Sequence, residues 1–194
     1  MSEEKFSGVA RVELPAGGEY YGEIAGGKAH GFGSMKFPNG DMYEGEWIEG
    51  EMNGVGEYFV YDSEWGGFEK TYKGEFAQGK RHGKGCMSYN DFSKYQGNWQ
   101  NNQRTGYGVC WFANGDRFIG LWKFDKMMRG TYSIAESGDW YDGEIKDGMF
   151  DGYGKYYWKS GDFFDGTFLN GKPFNGVLIS KDGKMSEIID GIAE

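Results

Sequence analysis

Tyr72-Lys73-Gly74-Glu75-Phe76-Ala77-Gln78-Gly79-Lys80-Arg81-His82-Gly83-Lys84-Gly85 holds the pattern that decides the fold. An aromatic, a glycine and an apolar residue alternate with polar ones, a turn-forming segment follows, and a Gly-x-Gly closes the stretch. Period-two alternation on both sides of a turn reads as strand–turn–strand. The opening triplet recurs as Tyr20-x-Gly22-x-Ile24, Tyr43-x-Gly45-x-Trp47, Tyr95-x-Gly97-x-Trp99, Phe118-x-Gly120-x-Trp122, Tyr141-x-Gly143-x-Ile145 and Phe164-x-Gly166-x-Phe168. Successive starts lie 23, 29, 23, 23, 23 and 23 residues apart, so the second repeat alone carries an insertion, of six.

Eleven residues after most starts stands the Gly-x-Gly, at Gly31/Gly33, Gly54/Gly56, Gly83/Gly85, Gly106/Gly108 and Gly152/Gly154. A turn closes the repeat at Asn39-Gly40-Asp41, Asn114-Gly115-Asp116, Ser137-Gly138-Asp139 and Ser160-Gly161-Asp162. The predicted organisation is a capping half-repeat over residues 1–19, seven repeats over 20–176, and a C-terminal strand and tail cap over 177–194. One hairpin is unstable alone, but stacked hairpins bury a continuous ring stripe between neighbours. The expected fold is all-β: an elongated, twisted, single-layer sheet of about seven hairpins. At about 4.8 Å per strand it would run roughly 65–70 Å and curve into a trough. Glycine weakens a strand, so its recurrence predicts rings lying flat on the backbone.

Composition agrees with this reading. The chain of 194 residues holds 36 Gly, 3 Pro, 15 Phe, 14 Tyr and 7 Trp, so its core must be built from rings. A net charge of −9 argues against nucleic acid and anionic lipid as main partners, because each requires a positive footprint. The longest basic cluster is Lys80-Arg81-His82. The polar start Met1-Ser2-Glu3-Glu4-Lys5 predicts no secretory leader, and two cysteines, Cys86 and Cys110, fit a reducing cytoplasm.

The pattern Tyr-x-Gly-x-Trp-x-x-Gly-x-x-x-Gly-x-Gly, clearest in Tyr72–Gly85 and Tyr141–Gly154, resembles the MORN (membrane occupation and recognition nexus) repeat from about Gly8 to Gly183. The resemblance implies a sheet of hairpins used as a scaffold or interaction surface. It also implies that some relatives join the array to an enzyme, such as a lysine methyltransferase or a phosphoinositide kinase. The array takes up nearly all of these 194 residues, so no such domain is expected among them.

The repeat also filters the candidate chemistry. His30 and His82 share one repeat position with Asn53 and Thr105, which marks a turn or surface role. Cys86 and Cys110 fall on opposite faces and are not expected to pair. The turn aspartates Asp41, Asp116, Asp139 and Asp162 read as bonded to local backbone. Glu23, Glu46, Glu75 and Glu144 read as a solvated ladder able to steer a basic partner. Since acids recur at every repeat, no single pair is distinguished for catalysis, and no cofactor or metal is expected. Repeat two ends in a loop, Tyr61–Lys70, whose aromatics are expected to fold back over the sheet, or else to serve as a contact. Repeats five and seven replace Gly-x-Gly by Met127-Met128-Arg129-Gly130-Thr131 and Pro173-Phe174-Asn175-Gly176-Val177, which predicts an altered turn or bulge.

The expected function is non-catalytic binding of a partner protein's extended or helical segment, of basic character, along the trough. The rings in the phase opposite the stripe are the expected contacts: Phe32, Phe59, Tyr107, Trp111, Tyr153 and Tyr157. Self-association through the ribbon ends is a related expectation. The alternatives are a membrane or phosphoinositide adaptor and, remotely, a glycan hydrolase with a cleft acid pair. The expected location is cytoplasmic, with cytoskeletal or membrane association only through a partner.

Overall fold

The computed structural model describes residues 7–14, 17–64 and 66–193. Trp65 of the repeat-two insertion, residues 1–6 and residues 15–16 of the N-terminal cap, and residue 194 of the tail lie outside the described residues. The chain divides into two compact units, Met1–Asn102 and Gln103–Glu194. Unit 1 contains β1 (Gly8–Glu13), β2 (Glu19–Ala25), β3 (Lys28–Lys36), β4 (Met42–Ile48), β5 (Glu51–Asp62), β6 (Gly67–Ala77), β7 (Lys80–Ser88) and β8 (Lys94–Gln100). Unit 2 contains β9 (Gln103–Trp111), β10 (Arg117–Lys123), β11 (Lys126–Ser133), β12 (Trp140–Lys146), β13 (Met149–Tyr157), β14 (Phe163–Leu169), β15 (Lys172–Ile179), β16 (Met185–Ile189) and β17 (Ile192–Ala193). Within each unit every strand pairs antiparallel with the next in sequence. The all-β expectation holds, and each unit is an open single-layer sheet of hairpins.

Each sheet buries one face. Tyr43, Tyr72, Tyr95, Phe118, Tyr141 and Phe164 are fully buried, together with the apolar residue four positions on. Their rings meet edge to face in a chain: Tyr43–Trp47 at 5.1 Å, Tyr43–Phe76 at 5.0 Å and Tyr72–Phe76 at 5.0 Å in unit 1. In unit 2 Tyr141–Phe168 and Phe164–Phe168 repeat the motif at 5.0 and 5.2 Å. Each such pair adds about 0.5–1.5 kcal/mol beyond area burial. The side carrying this stripe is called the ring face below.

The ring of Tyr43 lies over Gly45 and its cross-strand partner Gly56. A Cβ on Gly45 would come within 2.5 Å of both Gly56 Cα and the Tyr43 hydroxyl. Glycine is therefore required there by packing, as the sequence implied. The first glycine of the pair has a different task. Gly54 has φ +65° and sits opposite a register shift between Gly45 and Trp47, which is a bulge with a left-handed glycine.

The bulge tracks the starting residue. All five tyrosines donate to the backbone carbonyl three residues on: Tyr20 to Glu23, Tyr43 to Glu46, Tyr72 to Glu75, Tyr95 to Asn98 and Tyr141 to Glu144, at 2.7–3.1 Å. Phe118 and Phe164 have no hydroxyl. Their hairpins are the ones with displaced glycines, and their register shifts fall at Leu121/Trp122 and Thr167/Phe168 instead. The loop-facing hairpin ends are tighter than the sequence suggested. Glu49-Gly50, Gln78-Gly79 and Asp147-Gly148 turn in two residues, both at positive φ, which matches the twist of the strands.

Two expectations about carboxylates change. Glu23, Glu46 and Glu75 are not merely a solvated ladder. Each bends over its bulge and accepts from the middle residue of the Gly-x-Gly: Phe32 N at 3.2 Å, Val55 N at 3.1 Å and Lys84 N at 2.8 Å. The turn aspartates bond beyond their own turn, to the following hairpin. Asp41 accepts from Tyr58 Oη and Tyr61 N, both at 2.9 Å; Asp116 from Tyr132 Oη and Ala135 N, both at 2.8 Å. Asp139 takes Tyr156 Oη at 2.8 Å and Lys159 N at 2.9 Å, and Asp162 takes Lys181 N at 2.8 Å. A single turn offers too few donors for a carboxylate, so both oxygens of Asp41, Asp116 and Asp139 reach to the neighbour. Burial alone would raise Asp116, but bonds from Ala135 N, Tyr132 and Asn114 hold it below the ordinary carboxylate value. The Lys159 amide, with Tyr156 and Ser137, does the same for Asp139.

The insertion in repeat two lengthens β5 and β6 rather than making a long loop, with Tyr61 opposite Phe68 and Asp62 opposite Gly67. Phe68 folds back to within 5.5 Å of Phe59 and 5.8 Å of Tyr61, while remaining 41% exposed.

Candidate protein interface

Strand alternation puts the residues between the ring-face positions on the opposite face of each sheet. In unit 2 the pairing register lines up one row across that face: Trp111, Arg117, Ser133, Trp140, Tyr157, Phe163, Ile179 and Met185. Trp140 and Tyr157 stack with centroids 3.7 Å apart and planes 9° apart, and Tyr157 stacks on Phe163 at 5.6 Å. At the other end the Arg117 guanidinium lies 5.7 Å from the Trp111 ring. Trp140 is 39% and Met185 72% exposed. The rings stiffen one another and still present edges and faces to the solvent. Stacked, part-buried aromatics of this kind supply contact area at low entropy cost.

The neighbouring row carries Asp142, Lys155, Asp165 and Glu187, of which one pair is matched. Asp165 accepts from Lys155 Nζ at 2.7 Å and from the Tyr153 hydroxyl. That bond to Lys155 holds Asp165 below its ordinary value and raises Lys155, and the contact with Asp165 raises Tyr153. Thr131 donates to Asp142 at 3.4 Å. The face therefore offers an apolar strip beside a polar row of net negative charge.

Of the residues singled out from sequence, Tyr157 sits in the middle of the strip and Trp111 at its end. Tyr107 and Tyr153, the middle residues of their Gly-x-Gly, are 73% and 52% exposed and stand in another row, opposite Leu121 and Thr167. Phe32 and Phe59 belong to unit 1. Phe59 pairs with Met42 and Thr71, and Phe32 stands opposite Glu46. Trp140, Phe163, Ile179 and Met185 were not anticipated. The signal existed: Trp140 and Phe163 each precede a starting aromatic, and the residue before a ring-face position must point the other way.

Neither cysteine forms a disulfide among the described residues: Cys86 stands opposite Lys73 and Gln96, and Cys110 is buried opposite Phe118 on the ring face. No helix is long and apolar enough to cross a membrane among the described residues.

Hairpins of one recurring pattern, laid side by side with a ring stripe on one face, define an all-β repeat protein. The chain belongs to the MORN-repeat family: the MORN repeat matches residues 20–42, 43–59, 72–94, 95–117 and 141–163, more than half of the chain. These are the five repeats that begin with tyrosine. Human and rat alsin are each 36% identical over 92 residues, which is 44% of this chain and 6% of alsin's length. The chain thus corresponds to a small part of these relatives. Among solved structures, the TCP10 domain of Danio rerio CPAP aligns with 93% of this chain and 83% of its own, at 13% identity and a TM-score of 0.51. That likeness is one of fold.

Proposed function

We propose that this chain is a protein-interaction module that holds a partner's segment on the face of unit 2 opposite the ring face. The observation that carries this reading is the strip Trp140–Tyr157–Phe163–Ile179–Met185, because contiguous exposed apolar surface on a protein marks an interaction site. Asp142 and Glu187 beside the strip have no cationic partner among the described residues, so the reading keeps the extended segment of basic character expected from net charge, with its apolar side chains on the strip. Tyr107 and Tyr153 would flank the segment. Phe32 and Phe59 are assigned no central role.

Photo-crosslinking tests this. The intact protein carries p-benzoylphenylalanine at Tyr157, at Phe163 or, as control, at Phe32, and is irradiated in lysate. Adducts with one partner segment from the first two positions and none from Phe32 are expected. Adducts from Phe32 alone, or none dependent on position, would overturn the reading.

A further inference from the structure

On the ring face of unit 1 lies a cavity of about 400 Å³ whose wall includes Met52, Tyr58, Phe76, Met87, Arg81 and Asn102. Arg81 is the one charged side chain among the residues lining it. Its guanidinium lies 4.6 Å from the Trp99 ring. Its Nε and backbone N donate to Asn102 Oδ1 at 3.4 and 2.9 Å, and Nη2 donates to the Asn102 carbonyl at 3.1 Å. Nη1 reaches only Met87 Sδ, at 3.7 Å.

Unit 2 contains the same arrangement with one difference. Arg104 lies 4.3 Å from Trp122, and its Nε, backbone N and Nη2 meet Asp125 Oδ1 at 2.9 and 3.0 Å and the Asp125 carbonyl at 3.1 Å. Contact by contact the two rungs match, except that Arg104 faces a carboxylate and Arg81 an amide. Asn102 and Asp125 even share the left-handed backbone, at φ +70° and +66°. Arg104 is therefore neutralised within its rung. Arg81 has no carboxylate at salt-bridge distance among the described residues.

A half-buried guanidinium against apolar walls retains donors suited to a planar anion, and the planar fork of arginine fits a carboxylate on two bonds. Met52 and Met87 are side chains that adapt to an apolar neighbour. The volume lies in the range of sites that hold a few side chains or a small molecule. We infer that this cavity docks an acidic–apolar peptide segment of a partner protein, its Asp or Glu carboxylate on Arg81 and the adjoining apolar side chain against Met52, Phe76 and Met87. The site lies on the other face and in the other unit from the strip proposed above, so each proposal can fail without the other.

The probe is a random heptapeptide phage library panned on the intact protein, followed by fluorescence polarisation of the enriched peptide and of its Glu→Gln or Asp→Asn counterpart. Enriched peptides are expected to carry Asp or Glu beside Leu, Ile or Phe, and the neutral counterpart to bind at least about tenfold more weakly. Asn102→Asp is the deciding variant. It gives Arg81 the internal carboxylate that Arg104 already has, in a backbone conformation aspartate adopts in this chain. It should weaken the acidic peptide by a similar factor while circular dichroism and Tm stay unchanged. Arg81→Gln should do the same, and if it misfolds, Asn102→Asp still decides. Enrichment without an acid, or Asn102→Asp binding as tightly as the parent, would overturn the proposal. So would a shift of the Arg81 side-chain NMR signal by octanoate with no acidic peptide enriched, which would assign the cavity to a fatty-acid carboxylate instead.

Discussion

On the face opposite the ring stripe, the row in unit 1 through Lys36, Met42, Phe59, Thr71, Ser88 and Lys94 is mostly polar, whereas the corresponding row in unit 2, beyond Arg117 and Ser133, runs apolar through Trp140, Tyr157, Phe163, Ile179 and Met185. Both rows stand on the same framework of rings over glycine. The same holds for the matched rungs Arg81–Asn102 and Arg104–Asp125, where geometry is kept and one charge differs. The repeat prescribes what folding needs, namely the starting ring, its glycines and the turn. Positions outside that prescription are free to diverge, and both proposed binding surfaces lie there.

The comparison can be broken where the framework is shared. Gly56→Ala in unit 1 and Gly154→Ala in unit 2 each force a methyl into the ring of Tyr43 or Tyr141. Each should cost about 3 kcal/mol or more, read as loss of the corresponding unit's amide protection in hydrogen exchange. A unit that tolerates the methyl would show that ring-over-glycine packing is not its common support.

Where the faces differ, the effect should appear in one unit only. The triple change Trp140→Ala, Tyr157→Ala and Phe163→Ala should lower affinity for a crosslinked partner segment at least tenfold, about 1.4 kcal/mol. Lys36→Ala, Met42→Ala and Phe59→Ala together should leave it within twofold. Equal losses in calorimetric titration would erase the distinction between the two faces.

Smaller effects sharpen the shared part. Tyr43→Phe and Tyr141→Phe each remove one bond to a backbone carbonyl and should cost about 1 kcal/mol in either unit, measured by urea denaturation. Tyr156, pushed up to about 12 first by burial and then by its bond to Asp139, keeps its proton in the folded state. Its stabilising effect is complete below the unfolded tyrosine value near 10 and is lost as pH rises toward about 12. At the acid end, Asp139 and Asp162 have folded values below the unfolded one. Their contribution is complete above about pH 4 and fades as pH falls further. The melting temperature of unit 2 should drop by a few degrees below pH 4, and Asp139→Asn should flatten that drop.

Much of the architecture was legible because the period of 23 residues repeats the same physical need. An aromatic two residues before a glycine, with a second glycine pair eleven residues later, has few foldable solutions other than a ring over a hairpin backbone. The bulge at the first glycine was not legible, although Tyr against Phe at the start, as in Tyr141 and Phe118, distinguishes the hairpins that have it. The role of Glu46 was also hidden, since alternation shows which face a residue takes and not whether its carboxylate bends back onto Val55 N. Tyr157 was found and its stacking partners Trp140 and Phe163 were not, because they come from the strands on either side and the hairpin was read one repeat at a time.

What the sequence by itself determined is the local grammar: strand, turn, strand, with rings packed over glycines. These depend on side-chain alternation and backbone freedom, both properties of a few adjacent residues. Only the tertiary structure decided which residues become cross-strand neighbours once hairpins lie side by side. That step created the strip through Trp140, Tyr157 and Phe163, carried the bonds of Asp41 and Asp116 into the next hairpin, and left Arg81 facing Asn102 where Arg104 faces Asp125. Register between strands is set by bulges and packing across 14 to 21 residues, and neighbours at that separation interact only after the chain has folded.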